Sequence, residues 1–333
     1  MPFDEQKIEE IVNQVLAQLG KQKEFSTSIP KEEKKQVISE FKAPQVVTRT
    51  LVPESLDDII DESRKAFIAY RKLGLEARAK IIRAIRDICY KHSEELGRLA
   101  VEETGLGKMP DKMLKIQLAV NKTPGIEDLV PRSFTGDHGL TLEELAPYGV
   151  IGSITPSTNP AETIVNNTIS MIAGGNSVVF CPHPAAKRVS TRTVELIQKA
   201  IVECGGPPNL VQNLKEPSQE LARNIMHHPG IDLLVVTGGG AVVDLAMKSG
   251  KKAICAGPGN PPVVVDETAI IEKAGADIVE GASFDNNVLC VAEKEVFVVE
   301  SVAEKLKRVM REHGAFEVSG SVVERLTHMV IAD

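Results

Sequence analysis

The stretch GVIGSITPSTNPAETIVNNTISMIAGGNSVVFCPHP, Gly149 to Pro184, decides the fold. It opens on a short apolar run, GVIGSIT (149–155), passes through a polar loop, continues as a helical segment near 161–173, and closes on a second apolar run, NSVVFC (176–181). Short apolar runs bounded by turn residues read as buried strands, and two strands joined through a helix lie parallel. The unit then repeats. NLVQNL (209–214), DLLVVTG (232–238) and KAICAG (252–257) read as further strands, with helices near 187–204, 217–226 and 240–249. Strand and helix in alternation predict an α/β fold, a parallel sheet with helices on both faces. Sheets of this kind bind ligands beyond the carboxyl ends of their strands. Four loops fall there: TPSTNP (155–160), CPHPAAK (181–187), VTGGGAVV (236–243) and CAGPGNPP (255–262).

Beyond this sheet a shorter set follows: strand PPVVVDE (261–267), a helix from about 268 to 280, the loop SFDNNVLC (283–290), strand KEVFVVE (294–300) and a helix over 301–312. It reads as the start of a second α/β domain that stops early. On the amino-terminal side, residues 51–129 carry a helical pattern, with Ser55 as a candidate N-cap ahead of LDDIIDESRKAFIAYRKL. Cys89 falls on an apolar stripe there and reads as core.

Residues 4–19 set Ile8, Ile11, Val12, Val15, Leu16 and Leu19 on one helical face. Gly20 can end that helix, and the polar stretch that follows reads as a flexible linker. The helix either folds back on its own domain or docks into a groove of another protein. Its polar face is acidic, which disfavours a membrane surface.

The 333 residues exceed one comfortable core, so two domains are expected. A net charge of -7 with no basic block excludes the electrostatic footprint of a nucleic-acid binder. No apolar run reaches the roughly 18 residues of a membrane span, and the amino terminus lacks a secretory pattern, so a cytoplasmic protein is expected. The five cysteines form no CxxC pair and share no ligand spacing with the seven histidines, so neither a disulfide framework nor a metal site is expected.

The TGGGA turn, Thr237 to Ala241, joins a strand to a helix and exposes backbone N–H groups to any phosphate there. It lacks the GxGxxG pattern, so nucleotide binding and a simple tight turn both remain open. Cys290 ends a small polar loop, as nucleophile or spacer. Cys255 and Cys204 read as spacers, and His183, His227 and His228 as loop or surface residues.

In their order, TPSTNP, PHPAAK, VVTGG, AGPGNPPVVVDETA and GASFDNN, with Cys290 heading a Cys-x-x-Glu-Lys run, resemble the aldehyde dehydrogenase superfamily. They are most similar to the coenzyme-A-acylating aldehyde dehydrogenases of bacterial microcompartments, which act on acetaldehyde in ethanolamine use or propionaldehyde in propanediol use. The resemblance runs from about residue 50 to the end. It implies a parallel-sheet NAD-binding domain with N-terminal helices over 46–262 and a partial, incomplete catalytic α/β domain over 263–333. Residues 1–20 are similar to an encapsulation peptide, and 21–45 would be its linker. Family members continue well past the point matching Asp333, so the resemblance implies a C-terminally truncated chain.

The resemblance implies that the Cys290 thiolate attacks the aldehyde, with the Cys290 N–H and a side chain of TPSTNP donating to the oxyanion. A gapless match puts the family's asparagine on Thr158; Asn159 is one place on and is the firmer donor. Thr237, Gly238 and Gly239 match the turn near the cofactor pyrophosphate, and Thr155, Pro156, His183 and Gly257 stand with them as cofactor-binding candidates. Cys181 replaces a ribose-contacting lysine, leaving NAD and NADP both open. Cys255 stands where hydrolytic relatives carry a water-activating glutamate, which implies acyl transfer to coenzyme A. The implied partners are a small aldehyde, a shell protein met through residues 1–20 and further copies of the chain in a homo-oligomer, with no nucleic acid and no membrane. The implied location is the microcompartment lumen. The alternative is an inactive fragment that retains cofactor binding or shell docking.

Overall fold

The computed structural model describes residues 55–331, and the expected helix over 1–20 and linker over 21–45 lie outside the described residues. Four helices come first: α1 Leu56–Tyr70, α2 Leu75–Lys91, α3 Ser93–Thr104 and α4 Asp111–Lys122. Ser55 caps α1 as its type predicts, its side chain accepting from the Asp58 N–H at 3.2 Å. The central sheet follows with β3 Val150–Thr155, β4 Ser177–Pro182, β5 Val211–Asn213, β6 Leu233–Thr237 and β7 Ala253–Ala256. Between its strands run α5 Pro160–Ala173, α6 Lys187–Glu203, α7 Gln219–His227 and α8 Gly240–Met247. All neighbouring strands pair parallel, in the order β5-β4-β3-β6-β7.

Every position of β3 and β4 is buried, because both faces of the sheet are covered. Successive side chains alternate between two cores. Ile151, Val178, Phe180 and Val211 join the core built with α2 to α6, while Val150, Ile154, Val179, Leu234 and Val236 join the one built with α7 and α8. Cys89 is fully buried in the first. The expected parallel sheet with helices on both faces is thus the observed one.

The second set is β8 Pro262–Val265, α9 Ile271–Ser283, β9 Glu295–Val298 and α10 Glu300–Glu312, with β8 and β9 paired parallel. Val265, Ile271, Ile278, Leu306 and Val309 form its small core. The expected helix from 268 starts at Ile271 instead, because Asp266 accepts from the Thr268 N–H and hydroxyl and so holds a turn. It also runs to Ser283, so the loop before Cys290 is shorter than the sequence suggests.

Two elements escape the sequence pattern. An antiparallel hairpin pairs β1 Arg132–Gly136 with β2 Gly139–Glu143, and every residue of both strands is exposed. Helix α11, Ser321–Ile331, ends the described residues. No helix among them is long and apolar enough to cross a membrane.

Candidate active site

The sheet order places β4 on one side of β3 and β6 on the other, so the chain reverses its direction of travel across the sheet at β3. The loops after β3 and β6 therefore diverge and leave a crevice. A cavity of about 890 Å³ occupies it. Thr155, Pro156, Thr158, Asn159, His183, Thr237, Gly238, Gly239, Gly257 and Cys290, the residues singled out from the sequence, all line it.

Two sets of glycines behave differently there. A Cβ on Gly239 or Gly240 would meet nothing within 4 Å, and one on Gly238 would touch only Val242, at 3.8 Å. Packing of the chain does not require glycine at these positions. The open space stands before the N-terminus of α8, where backbone N–H groups and the helix dipole favour an anion. A dinucleotide pyrophosphate fits that donor set. Gly259 is the opposite case: a Cβ there would overlap the carbonyl oxygen of Cys290. The CAGPGNPP turn and the Cys290 loop thus touch backbone to backbone.

Cys290 is the exposed one of the five cysteines. Its loop follows an unusual turn in which Asp285, Asn286 and Asn287 all have positive φ, at 49°, 55° and 58°. Asp and Asn tolerate this region better than other side chains, yet each still costs on the order of 1 kcal/mol. Polar contacts offset that cost. Asn287 donates to the Ala282 and Glu293 carbonyls at 2.7 and 3.1 Å, and Lys294 donates to the Asn287 side chain at 2.6 Å and the Leu289 carbonyl at 3.1 Å.

Asp285 is fully buried and is held from α4. Lys112 lies 3.0 Å from its carboxylate, and Lys115 donates to the same oxygen. The Lys108 N–H donates to its other oxygen at 2.8 Å. Burial raises the Asp285 pKa, but the Lys115, Lys108 and Lys112 bonds outweigh it and hold the carboxyl below its ordinary value. Glu162 completes the cluster, 3.6 Å from Lys115, with neither oxygen hydrogen-bonded. Burial pushes its carboxyl up, against the pull of both lysines.

The same lysines reach the β3 loop. Lys112 donates to the Thr158 carbonyl and Lys115 to Asn159 Oδ1. The two residues offered by the sequence as oxyanion donors therefore stand side by side, tied to α4. The sequence reading passed over this cluster, although a signal existed: Lys112 shares one face of α4 with Ile116 and Val120, at i, i+4 and i+8. A lysine that stays buried and charged on such a stripe needs an anion beside it.

The other cysteines and histidines sit in distinct environments. Cys181 is buried on β4, its thiol pushed up to about 12 by burial. Cys255 is half-buried against the α7 and α8 core, and burial raises its thiol too. Cys204 caps α6 and packs against the other core. His183 accepts the Ala185 N–H at 3.1 Å on Nδ1. His228 accepts from the Gly230 N–H at 3.0 Å and pairs with Asp57 at 2.7 Å, in a shallow surface pocket that His227 also lines. No carboxylate stands among the described residues lining the main cavity.

A doubly wound α/β protein with a glycine turn at its switch point and an exposed thiol on the facing loop is the class that fold and site define. The chain belongs to the aldehyde dehydrogenase family, whose model matches residues 30–323. It is 50% identical over 278 residues to the acetylating acetaldehyde dehydrogenase EutE of Salmonella typhimurium, covering 83% of this chain and 59% of that protein. It is 46% identical to the CoA-propanoylating propanal dehydrogenase of Citrobacter freundii, covering 87% of this chain and 63% of that one. Among solved structures, a propionaldehyde dehydrogenase of Rhodopseudomonas palustris with bound CoA and an acylated cysteine superposes with a TM-score of 0.80 at 47% identity, over 83% of this chain and 64% of that one. A propionaldehyde dehydrogenase from the fucose utilisation microcompartment of Clostridium phytofermentans gives 0.79 at 47%, over 82% and 63%. The chain thus spans about three fifths of the length of the curated relatives it matches.

Proposed function

We propose that this chain carries the cofactor-binding and nucleophile-bearing part of an acylating aldehyde dehydrogenase, which converts a short-chain aldehyde, NAD and coenzyme A to acyl-coenzyme A and NADH. The observation that carries the reading is one cavity lined by Cys290, Asn159 and the open glycine turn of Gly238 and Gly239. Residues 46–262 form the cofactor-binding portion and 263–333 the start of the catalytic portion.

Cys290 attacks the aldehyde carbon as thiolate, and the carbonyl oxygen becomes an alkoxide. Asn159 Nδ2 and the Cys290 N–H donate to it, with Thr158 beside them as the second candidate donor. The turn at Thr237 to Gly239 seats the cofactor pyrophosphate, with Thr155, Pro156, His183 and Gly257 around it; bound there, NAD or NADP supplies the hydride acceptor. Loss of hydride from the alkoxide carbon leaves a thioester on Cys290. Because Cys255 occupies the place of a water-activating carboxylate, that thioester waits for a stronger nucleophile. The thiolate of coenzyme A then forms the new C–S bond and Cys290 leaves as thiolate.

The acylated cysteine and bound CoA of the Rhodopseudomonas palustris relative support the reading. That support favours it over an inactive fragment. The microcompartment origin of the Clostridium phytofermentans relative supports a lumenal location. Docking to the shell through residues 1–20 and assembly as a homo-oligomer rest on the sequence resemblance alone. Purified chain is tested for NADH and acyl-coenzyme A from C2 to C4 aldehydes, with and without coenzyme A. Cys290→Ala should abolish both products and leave NAD binding intact. Acid formed equally fast without coenzyme A would overturn the acyl-transfer step. Deleting residues 1–20 should abolish cargo loading alone.

A further inference from the structure

We propose that Lys115 is a positioning residue that fixes which end of the Asn159 amide faces the cavity, an inference that rests on the reading of Cys290 and Asn159 above. An asparagine amide presents an acceptor at one end and two donors at the other, and only the donor end stabilises an oxyanion. A free amide in a polar crevice can present either. Lys115 removes that freedom: its ammonium has donors only, it is 4% exposed, and it donates to Asn159 Oδ1. The Nδ2 end is left to donate, and one of its hydrogens goes to Thr158 Oγ1 at 3.1 Å. The other is free for substrate oxygen.

Lys115 is itself fixed. Its second bond goes to Asp285, which Lys112 also holds, and Lys112 donates to the Thr158 carbonyl. The segment carrying Asn159 and the left-handed turn ahead of Cys290 are therefore tied to one buried group on α4. The donor and the thiol that it serves share a common anchor.

The test needs neither cofactor nor turnover. The Cys290 thiol adds across the C=O bond of propanal, its proton ending on the new hydroxyl, and the thiohemiacetal so formed blocks alkylation of Cys290 by iodoacetamide. The propanal concentration giving half-protection, read at the Cys290 peptide by mass spectrometry, reports the stability of that adduct and not the alkylation rate. Asn159→Ala should raise it about tenfold, the scale of one lost hydrogen bond to a polarised oxygen. Lys115→Met should raise it by a similar factor, and the double variant no further, because a donor that is absent cannot be misdirected.

Wild-type protection in Lys115→Met, or penalties that multiply in the double variant, would overturn the role of Lys115. Protection that is unchanged in Asn159→Ala would instead overturn the reading of the site, and this role with it. Should Lys115→Met fail to fold, the same comparison is made in an Asp285→Asn background, where losing the cation no longer strands a carboxylate.

Discussion

The carbonyl of Cys290 lies against Gly259 so closely that a methyl carbon on Gly259 would overlap its oxygen and come within 3.3 Å of its carbonyl carbon. Gly259 is not among the positive-φ glycines, so the obstacle to alanine is this contact. The obstruction is main chain, which cannot rotate away, so Gly259→Ala must move the Cys290 loop. Displacement of a nucleophile by about 1 Å costs on the order of 10²-fold in rate. Gly259→Ala should lower NADH formation by about that factor and cost ~1–3 kcal/mol in stability. Steady-state kinetics beside a melting curve check both; unchanged kinetics would show that the loop is not held where Gly259 puts it.

Gly239→Ala is the complementary case. Its φ is -66° and a Cβ would touch nothing within 4 Å, so folding tolerates the change. The methyl projects into the open space where the pyrophosphate is proposed to sit. The expected outcome is a melting temperature within about 2 °C of wild type with NAD affinity reduced at least about tenfold, measured by calorimetry. Equal affinity in the two proteins would remove the glycine turn from the cofactor site.

Why the sheet was legible and the lysine cluster was not follows from the range of the forces involved. GVIGSIT and NSVVFC are buried on both faces, so their apolar character is local and continuous along the chain. The glycines of TGGGA and the thiol of Cys290 stand at strand ends or loops, where position alone marks them. Lys112, Lys115 and Asp285 meet across about 170 residues, and no local period records that meeting. The hairpin at 132–143 escaped for another reason: with every residue exposed, Phe134, Leu140 and Leu142 alternate without a buried face to enforce the pattern.

Glu162 should make stability depend on pH in a defined direction. Burial holds its carboxyl above the ordinary 4.5, so the folded chain binds that proton more tightly than the unfolded one. Its contribution to stability is complete below about 4.5 and is lost as pH rises through the raised folded value. Glu162→Gln keeps the shape and stays neutral throughout. Melting temperatures of variant and wild type should lie close together in acid and separate above it, with the variant higher. A variant that matches wild type in acid and is less stable above it would mean that the ionised carboxylate is needed by Lys115.

Thiol labelling should separate the five cysteines by environment. Burial pushes Cys89 and Cys181 up to about 12, so at about pH 8 only about one in 10⁴ of either is thiolate. Both also lie within the two main cores, where a reagent enters only when the chain opens. Cys290 is exposed on a loop at the cavity, and Cys204 and Cys255 are half-buried. N-ethylmaleimide should therefore modify Cys290 first, Cys204 and Cys255 more slowly, and Cys89 and Cys181 only at the rate of unfolding, as read by peptide mass mapping. The fast phase should vanish in Cys290→Ala and the slow phases should not move. Labelling of Cys89 as fast as Cys290 in the native protein would contradict the core in which α2 is packed.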